Sequence, residues 1–184
     1  MPNWCENRVE IFHDDEKIIK KIQEELREDW TEEVDGETKT GTTWFSFSKL
    51  RAMPKEIRNT ESPNRIFATQ KECDEYMEEY KNHPIISASA QTQEQVDALR
   101  EKYGVTNWYD WAEANWGVKW QPNDVFMDSD GNTITYEFNT AWCPPTAIYH
   151  ALIEKYPEIS KNISWFYNEP GMQFAGYLNN EGNY

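Results

Sequence analysis

Six of the chain's nine tryptophans fall between Trp108 and Trp165, and the densest run places four of them in fourteen positions, Asn107-Trp-Tyr-Asp-Trp-Ala-Glu-Ala-Asn-Trp-Gly-Val-Lys-Trp120. An indole is bulky and carries one N–H that needs a partner when buried, so each such position restricts its surroundings. A chain with this many indoles is committed to a specific aromatic core. Mean hydropathy is low at -0.91. The 15% aromatic content nonetheless supplies the bulk that the aliphatics lack, whereas disordered chains are aromatic-poor. The length of 184 residues fits one domain with an elaboration, large enough for a self-sufficient core.

The formal charge of -15 is unevenly spread. Residues 41–65 alone are net positive, with Lys49, Arg51, Lys55, Arg58 and Arg65 against Glu56 and Glu61. Wrapping around nucleic acid needs clustered Lys and Arg to neutralise phosphates, so this balance disfavours direct DNA binding. An acidic surface favours basic partners or imitation of a phosphate backbone. No apolar run approaches the roughly 18 residues of a membrane span. The start, Met-Pro-Asn-Trp-Cys-Glu-Asn-Arg, has no basic segment leading into an apolar one, so no signal peptide is expected. Cys5, Cys73 and Cys143 include no Cys-x-x-Cys pair, which reads as free thiols in a reducing cytoplasm. His13, His83 and His150 show no ligand spacing, so neither a metal nor a cofactor is expected.

Alternation predicts a strand over 7–12, and Ile18, Ile19, Ile22 and Leu26 predict an amphipathic helix over 15–28. The polar run 31–41 reads as a loop, and 42–48, with Trp44, Phe45 and Phe47, as a second strand. A short helix over 70–82 should stop at His83-Pro84. Thr92 and Gln95 form a capping box for a helix that Gly104 ends, and Trp108, Trp111 and Ala112 share a face of another over 106–116. Residues 60–116 thus form a mostly helical insertion. Asp130-Gly131 sits between alternating runs and marks a hairpin over 125–138. A calcium loop is excluded there, because Phe126 stands where a ligand belongs and no glutamate closes the loop. Pro144-Pro145 opens a helix with Ala147, Ile148, Ala151, Leu152 and Tyr156 inward, and strands follow at about 162–168 and 172–178. This order gives an α+β fold, an antiparallel sheet with helices on one face, as a single domain over 1–184.

Four ordered motifs stand out: Met1-Pro-Asn-Trp-Cys-Glu-Asn7, Asn115-Trp-Gly-Val-Lys-Trp120, Thr140-Ala-Trp-Cys-Pro-Pro145 and Tyr167-Asn-Glu-Pro-Gly-Met-Gln-Phe-Ala-Gly176. Together they resemble the YubB-like, ferredoxin-like family of phage and plasmid proteins. Residues 28–105 match nothing in that pattern. The resemblance implies a split βαβ sheet, in agreement with the element order. It implies no established activity. The family pattern often has Thr where Val118 stands and Ser where Cys143 stands, which removes a hydroxyl role at either position.

The motif residues Asn115, Trp116, Gly117, Lys119, Trp120, Trp142, Pro144, Pro145, Tyr167, Glu169 and Gly171 read as structural. The indoles pack on the sheet, Gly117 ends a helix, and Glu169 caps backbone amides. No catalytic residue is assigned. A nucleophilic Cys143 needs a base in contact, and His150 lies two helical turns on, about 10 Å away. The acidic faces carrying Glu24, Glu25, Glu28, Glu75, Glu78 and Glu79 are candidate partner contacts. The leading expectation is a non-enzymatic accessory protein of a phage or plasmid, in the bacterial cytoplasm. Its expected partner is a host protein with a basic nucleic-acid-binding surface, inhibited in anti-CRISPR or anti-restriction fashion. Two alternatives are a small enzyme with a cleft near Trp116, Lys119, Trp142 and Glu169, and an RNA-binding sheet presenting Trp44, Phe45 and Phe47 beside Lys49 and Arg51.

Overall fold

The computed structural model describes residues 3–34, 37–83 and 89–179. Strict alternation makes β1 (Trp4–Phe12), which turns Cys5, Asn7, Val9 and Ile11 inward and Glu6, Arg8 and Glu10 outward. α1 (Glu16–Leu26) follows. Its N-cap Asp15 accepts the Lys17 N–H at 3.0 Å, and Ile19, Ile22 and Leu26 are fully buried.

β2 (Glu28–Val34) and β3 (Glu37–Thr43) pair antiparallel as a hairpin where a loop is expected from sequence. The segment lacks an apolar face, so alternation cannot reveal it. What favours a strand there is the β-branched content at Thr31, Thr38, Thr40, Thr42 and Thr43. Trp30 lies across Gly41, where a Cβ would come within 2.4 Å of the indole. The expected strand over 42–48 is also corrected. β3 ends at Thr43, and Phe47–Lys49 is a 3-10 turn. Ser46 N–H donates to Leu26 O and Phe47 N–H to Gln121 Oε1, each at 2.9 Å. With its amides held in this way, the segment drops Phe45 and Phe47 fully into the core instead of joining a ladder.

Contacts divide the chain into two units, Met1–Ala52 with Asn115–Tyr184, and Met53–Ala114. The second unit holds α2 (Lys55–Arg58), β4 (Ile66–Phe67), α3 (Gln70–Tyr80), β5 (Gln91–Thr92), α4 (Gln93–Tyr103) and most of α5 (Trp108–Trp116). β4 and β5 pair parallel over two residues. α3 ends at Tyr80, and Pro84, the expected stop, lies outside the described residues. Thr92 and Gln95 form the capping box of α4, and Gly104, at φ +76°, closes it with an N–H to Arg100 O. The Lys102 ammonium and the Tyr103 hydroxyl both bond Glu56, holding its carboxyl down to about 2.

In the first unit the chain resumes with β6 (Asn123–Ser129) and β7 (Thr133–Ala141), turning through Gly131 at φ +101°. α6 (Thr146–Lys155), β8 (Ile163–Glu169) and β9 (Phe174–Leu178) complete it. On α6 Tyr149 is buried with Ile148, Ala151 and Leu152, while Ala147, expected inward, is only half-buried. The sheet runs β6-β7-β1-β8-β9, antiparallel throughout. The order β6-β7-β1-β8 is that of a ferredoxin-like split βαβ fold, with β9 added at one edge. Phe45, Tyr136, Phe138, Tyr149 and Trp165 pack beneath it. Phe45 stacks on Phe138 at 5.2 Å, and Trp165 meets Phe138 and Tyr149 edge-on at 5.8 and 5.9 Å. Among the described residues no helix is long and apolar enough to cross a membrane.

Candidate functional site

The four sequence motifs meet at one end of this sheet. Asn7 is their hub: buried on β1, it donates from Nδ2 to Thr140 Oγ1 at 2.9 Å and to Cys5 O at 3.0 Å. Its Oδ1 accepts the Trp165 indole N–H at 3.1 Å. The Thr140 hydroxyl donates to Cys143 O at 2.7 Å, and Asn3 O accepts the Trp142 N–H at 2.9 Å. Gly117, at φ +81°, lies against the start of α6, where a Cβ would sit 3.0 Å from Thr146 Oγ1 and 3.1 Å from its N. Pro144 and Pro145 are buried just ahead of that helix. The Trp116 indole N–H donates to Arg51 O at 2.8 Å.

Glu169 is fully buried at the end of β8, and its carboxylate accepts the N–H groups of Gly171 and Met172. A Cβ on Gly171 would fall 2.6 Å from Asn3 Nδ2, so the turn also seats the first motif. Lys119 places its ammonium 3.7 Å from the Trp120 ring centroid and 3.9 Å from that of Trp142. Both indoles keep about two-fifths of their surface exposed, and Trp142 is held at φ +69°. Asn115 stands in the last turn of α5, just before its final residue Trp116.

A cavity of about 300 Å³ opens here, lined by Cys143, Pro144, Thr146, Tyr167 and Phe174. The Cys143 thiol lies 3.4 Å from Gly117 O, a carbonyl and not a base. His150 lines a different groove, with Arg51 and Glu154. Burial pushes the Cys5 thiol up to about 12, with Cys143 and the Glu169 carboxylate adding repulsion. Among the described residues no group of three His, Cys, Asp or Glu side chains is placed to hold a metal ion.

The six glutamates singled out from sequence divide between the two units, three in each. Glu25 accepts the Tyr156 hydroxyl at 2.7 Å and pairs with Lys155 at 3.3 Å, contacts that lower its pKa. Glu28 accepts the Ser46 hydroxyl. Glu24 is exposed on α1. Glu75, Glu78 and Glu79 belong to the other unit, exposed on α3, with Glu75 paired to Lys71 at 3.5 Å and Glu78 to Lys81.

Sequence reasoning missed the face of the sheet opposite α1 and α6. Strand register aligns Phe126, Glu137, Arg8, Phe166 and Tyr177 in one row across all five strands. A neighbouring row carries Asn139, Glu6, Asn168 and Ala175, and the other carries Asp128, Thr135, Glu10 and Ser164. A groove of about 430 Å³ lies over these rows, lined by Glu6, Arg8, Asp124, Phe126, Glu137 and Phe166. Arg8 reaches Glu137 at 3.2 Å and Glu10 at 3.8 Å, and Phe166 packs on Tyr177 at 5.3 Å. Phe126 and Tyr177 are 60% and 63% exposed. The outward Arg8 and Glu10 follow from the alternation expected over 7–12, whereas Glu6 lies in the part of β1 outside those bounds. The aromatic partners do not follow from alternation, because the β1 pairings that join the two aromatic ends through Arg8 link residues more than a hundred positions apart.

Phe45 and Phe47, the rings expected to present an RNA-binding surface, are instead sealed in the core. Residues 115–183 match the family model described as a ferredoxin-like domain in Api92-like protein. That segment spans β6 to β9 with α6, while β1 and α1 lie outside it. A solved structure of protein Api92 from Yersinia pseudotuberculosis is similar over 96% of this chain and 93% of its own. The identity is 11% and the TM-score 0.48. No curated protein matches the chain. The C-terminal part of the chain is thus similar to a ferredoxin-like domain whose description names a fold and no activity.

Proposed function

We propose that this chain is a non-enzymatic binding protein whose partner is a protein with a basic, nucleic-acid-binding surface. In the phage or plasmid setting that the YubB-like resemblance implies, this is an acidic inhibitor of a host defence protein, of anti-CRISPR or anti-restriction type. The observation that carries the reading is the open sheet face. Among the described residues it exposes the carboxylates of Glu6, Glu10, Asp124, Asp128 and Glu137 against the guanidinium of Arg8. Such a face repels phosphate and attracts cationic protein. A net charge of -15 adds long-range steering toward a basic cleft.

The motif end supports the same reading. Its polar side chains are engaged in holding the fold: Glu169 on two backbone amides, Thr140 on a backbone carbonyl, and Asn7 on one carbonyl, the Thr140 hydroxyl and the Trp165 indole N–H. Immobilised protein incubated with bacterial lysate at low salt is expected to retain basic nucleic-acid-binding proteins. These should elute as salt shortens the screening length from about 30 Å at 0.01 M to about 8 Å at 0.15 M. Retention of no protein at low salt, or of acidic proteins insensitive to salt, contradicts the proposal.

A further inference from the structure

We infer that the cross-strand row Phe126–Glu137–Arg8–Phe166–Tyr177 is the docking site, and that its occupant is an arginine-rich segment of the partner rather than a lysine-rich one. This rests on the function proposed above and adds where the partner sits and which cation the site selects. Five strands at about 4.8 Å spacing make the row roughly 19 Å long, enough for about six residues of extended chain. The ends of the row are aromatic and its middle is charged. Phe126 stands alone on β6, while Phe166 and Tyr177 form a ring pair on β8 and β9. Carboxylates of Glu6, Glu10, Asp128 and Glu137 line the rows between and beside them.

Guanidinium is planar, weakly hydrated and forked. It can lie on a ring face while donating two parallel N–H bonds to a carboxylate. An ammonium is a compact, strongly hydrated point charge that gains the Coulomb attraction but not the stacking. Arg8 already places a guanidinium among these carboxylates, donating one N–H to Glu137 at 3.2 Å and lying 3.8 Å from Glu10. RNA-recognition sheets also expose aromatic rings, but nucleic acid needs cations beside them, and among the described residues here carboxylates outnumber the guanidinium five to one. A second copy of this chain would bring the same acidic face and the same net charge, which disfavours self-association through it.

The test measures fluorescence anisotropy of labelled octa-arginine, octa-lysine and oligouridine against the full chain at about 50 mM salt. The chain is compared with the variants F126A/Y177A, E6Q/E10Q and E75Q/E78Q/E79Q. The wild-type chain is expected to bind octa-arginine about tenfold or more tighter than octa-lysine, and F126A/Y177A to erase most of that preference. E6Q/E10Q should weaken both peptides several-fold, and the α3 variant should leave both within about twofold. Both rings are mostly exposed, so F126A/Y177A is expected to unfold at the wild-type temperature. Equal affinity for the two peptides, unchanged selectivity in F126A/Y177A, or tighter binding of oligouridine overturns the inference. If octa-arginine binding moves to the α3 carboxylates while basic proteins are still retained from lysate, the site falls and the function stands. If neither cationic peptide binds and lysate yields no basic protein, both fall.

Discussion

Asn7 joins the first and third motifs and the Trp165 indole through one buried amide, and replacing it separates structural from functional readings of that cluster. Asn7→Ala removes the acceptor of the Trp165 indole N–H and the donor to Thr140 Oγ1. An orphaned buried donor costs about 1–3 kcal/mol, so urea unfolding should show a loss of about 2–3 kcal/mol. A loss under about 0.5 kcal/mol would mean that the network does not hold the fold. Tyr136 is the opposite case. Its hydroxyl is buried and, among the described residues, makes no hydrogen bond. Tyr136→Phe keeps the ring against Phe45 while removing a desolvated group, so stability should stay level or rise by about 1 kcal/mol in the same assay. Cys5 adds a pH dependence. Its folded thiol is pushed up to about 12 from an unperturbed 9.0, mainly by burial. Below pH 9 it is protonated in both states and the full stability is present. Between 9 and 12 only the unfolded chain ionises, so stability is lost as pH rises. Unfolding followed against pH should show that alkaline loss, and Cys5→Ser should lessen it.

Elements with one buried face were legible in the sequence, and those without one were not. β1, α1, the β6–β7 hairpin, α6 and β8 each carry an apolar period that the core enforces, and their expected bounds fall within a few residues of those observed. The β2–β3 hairpin has no such period, and only its threonines hint at strand. The segment after it fails for another reason. Phe45 and Phe47 do alternate, but the Ser46 amide between them donates to Leu26 O and the Phe47 amide to Gln121 rather than to a strand. The meeting of the four motifs at one end of the sheet does not follow from their spacing in sequence, and the open-face row arises only from register. One joint between elements is tight enough to test. Gly117 combines a positive φ with contact to the N-terminus of α6. Gly117→Ala should cost about 2 kcal/mol or more through backbone strain and the Thr146 clash. Differential scanning calorimetry that finds an unchanged Tm would show that this close approach is not required.

On the scale of the whole molecule, motif side chains are spent on the interior and on one end of the sheet, while carboxylates other than the buried Glu169 mostly face outward. The ferredoxin-like sheet buries one face under α1 and α6 and leaves the other open, and the open one carries the row of aromatic and acidic side chains. Function is therefore expected from the face centred on the Phe126–Tyr177 row, which the sequence motifs reach only through Glu6, Asn168 and Ala175. Amide chemical-shift mapping of the isotopically labelled chain during octa-arginine titration tests this most directly. The account predicts that shifts concentrate on Glu6–Glu10, Phe126, Glu137, Phe166 and Tyr177. Shifts concentrated instead on Lys119, Trp120, Trp142, Cys143 and Tyr167 would contradict it and place binding in the cavity beside the motifs.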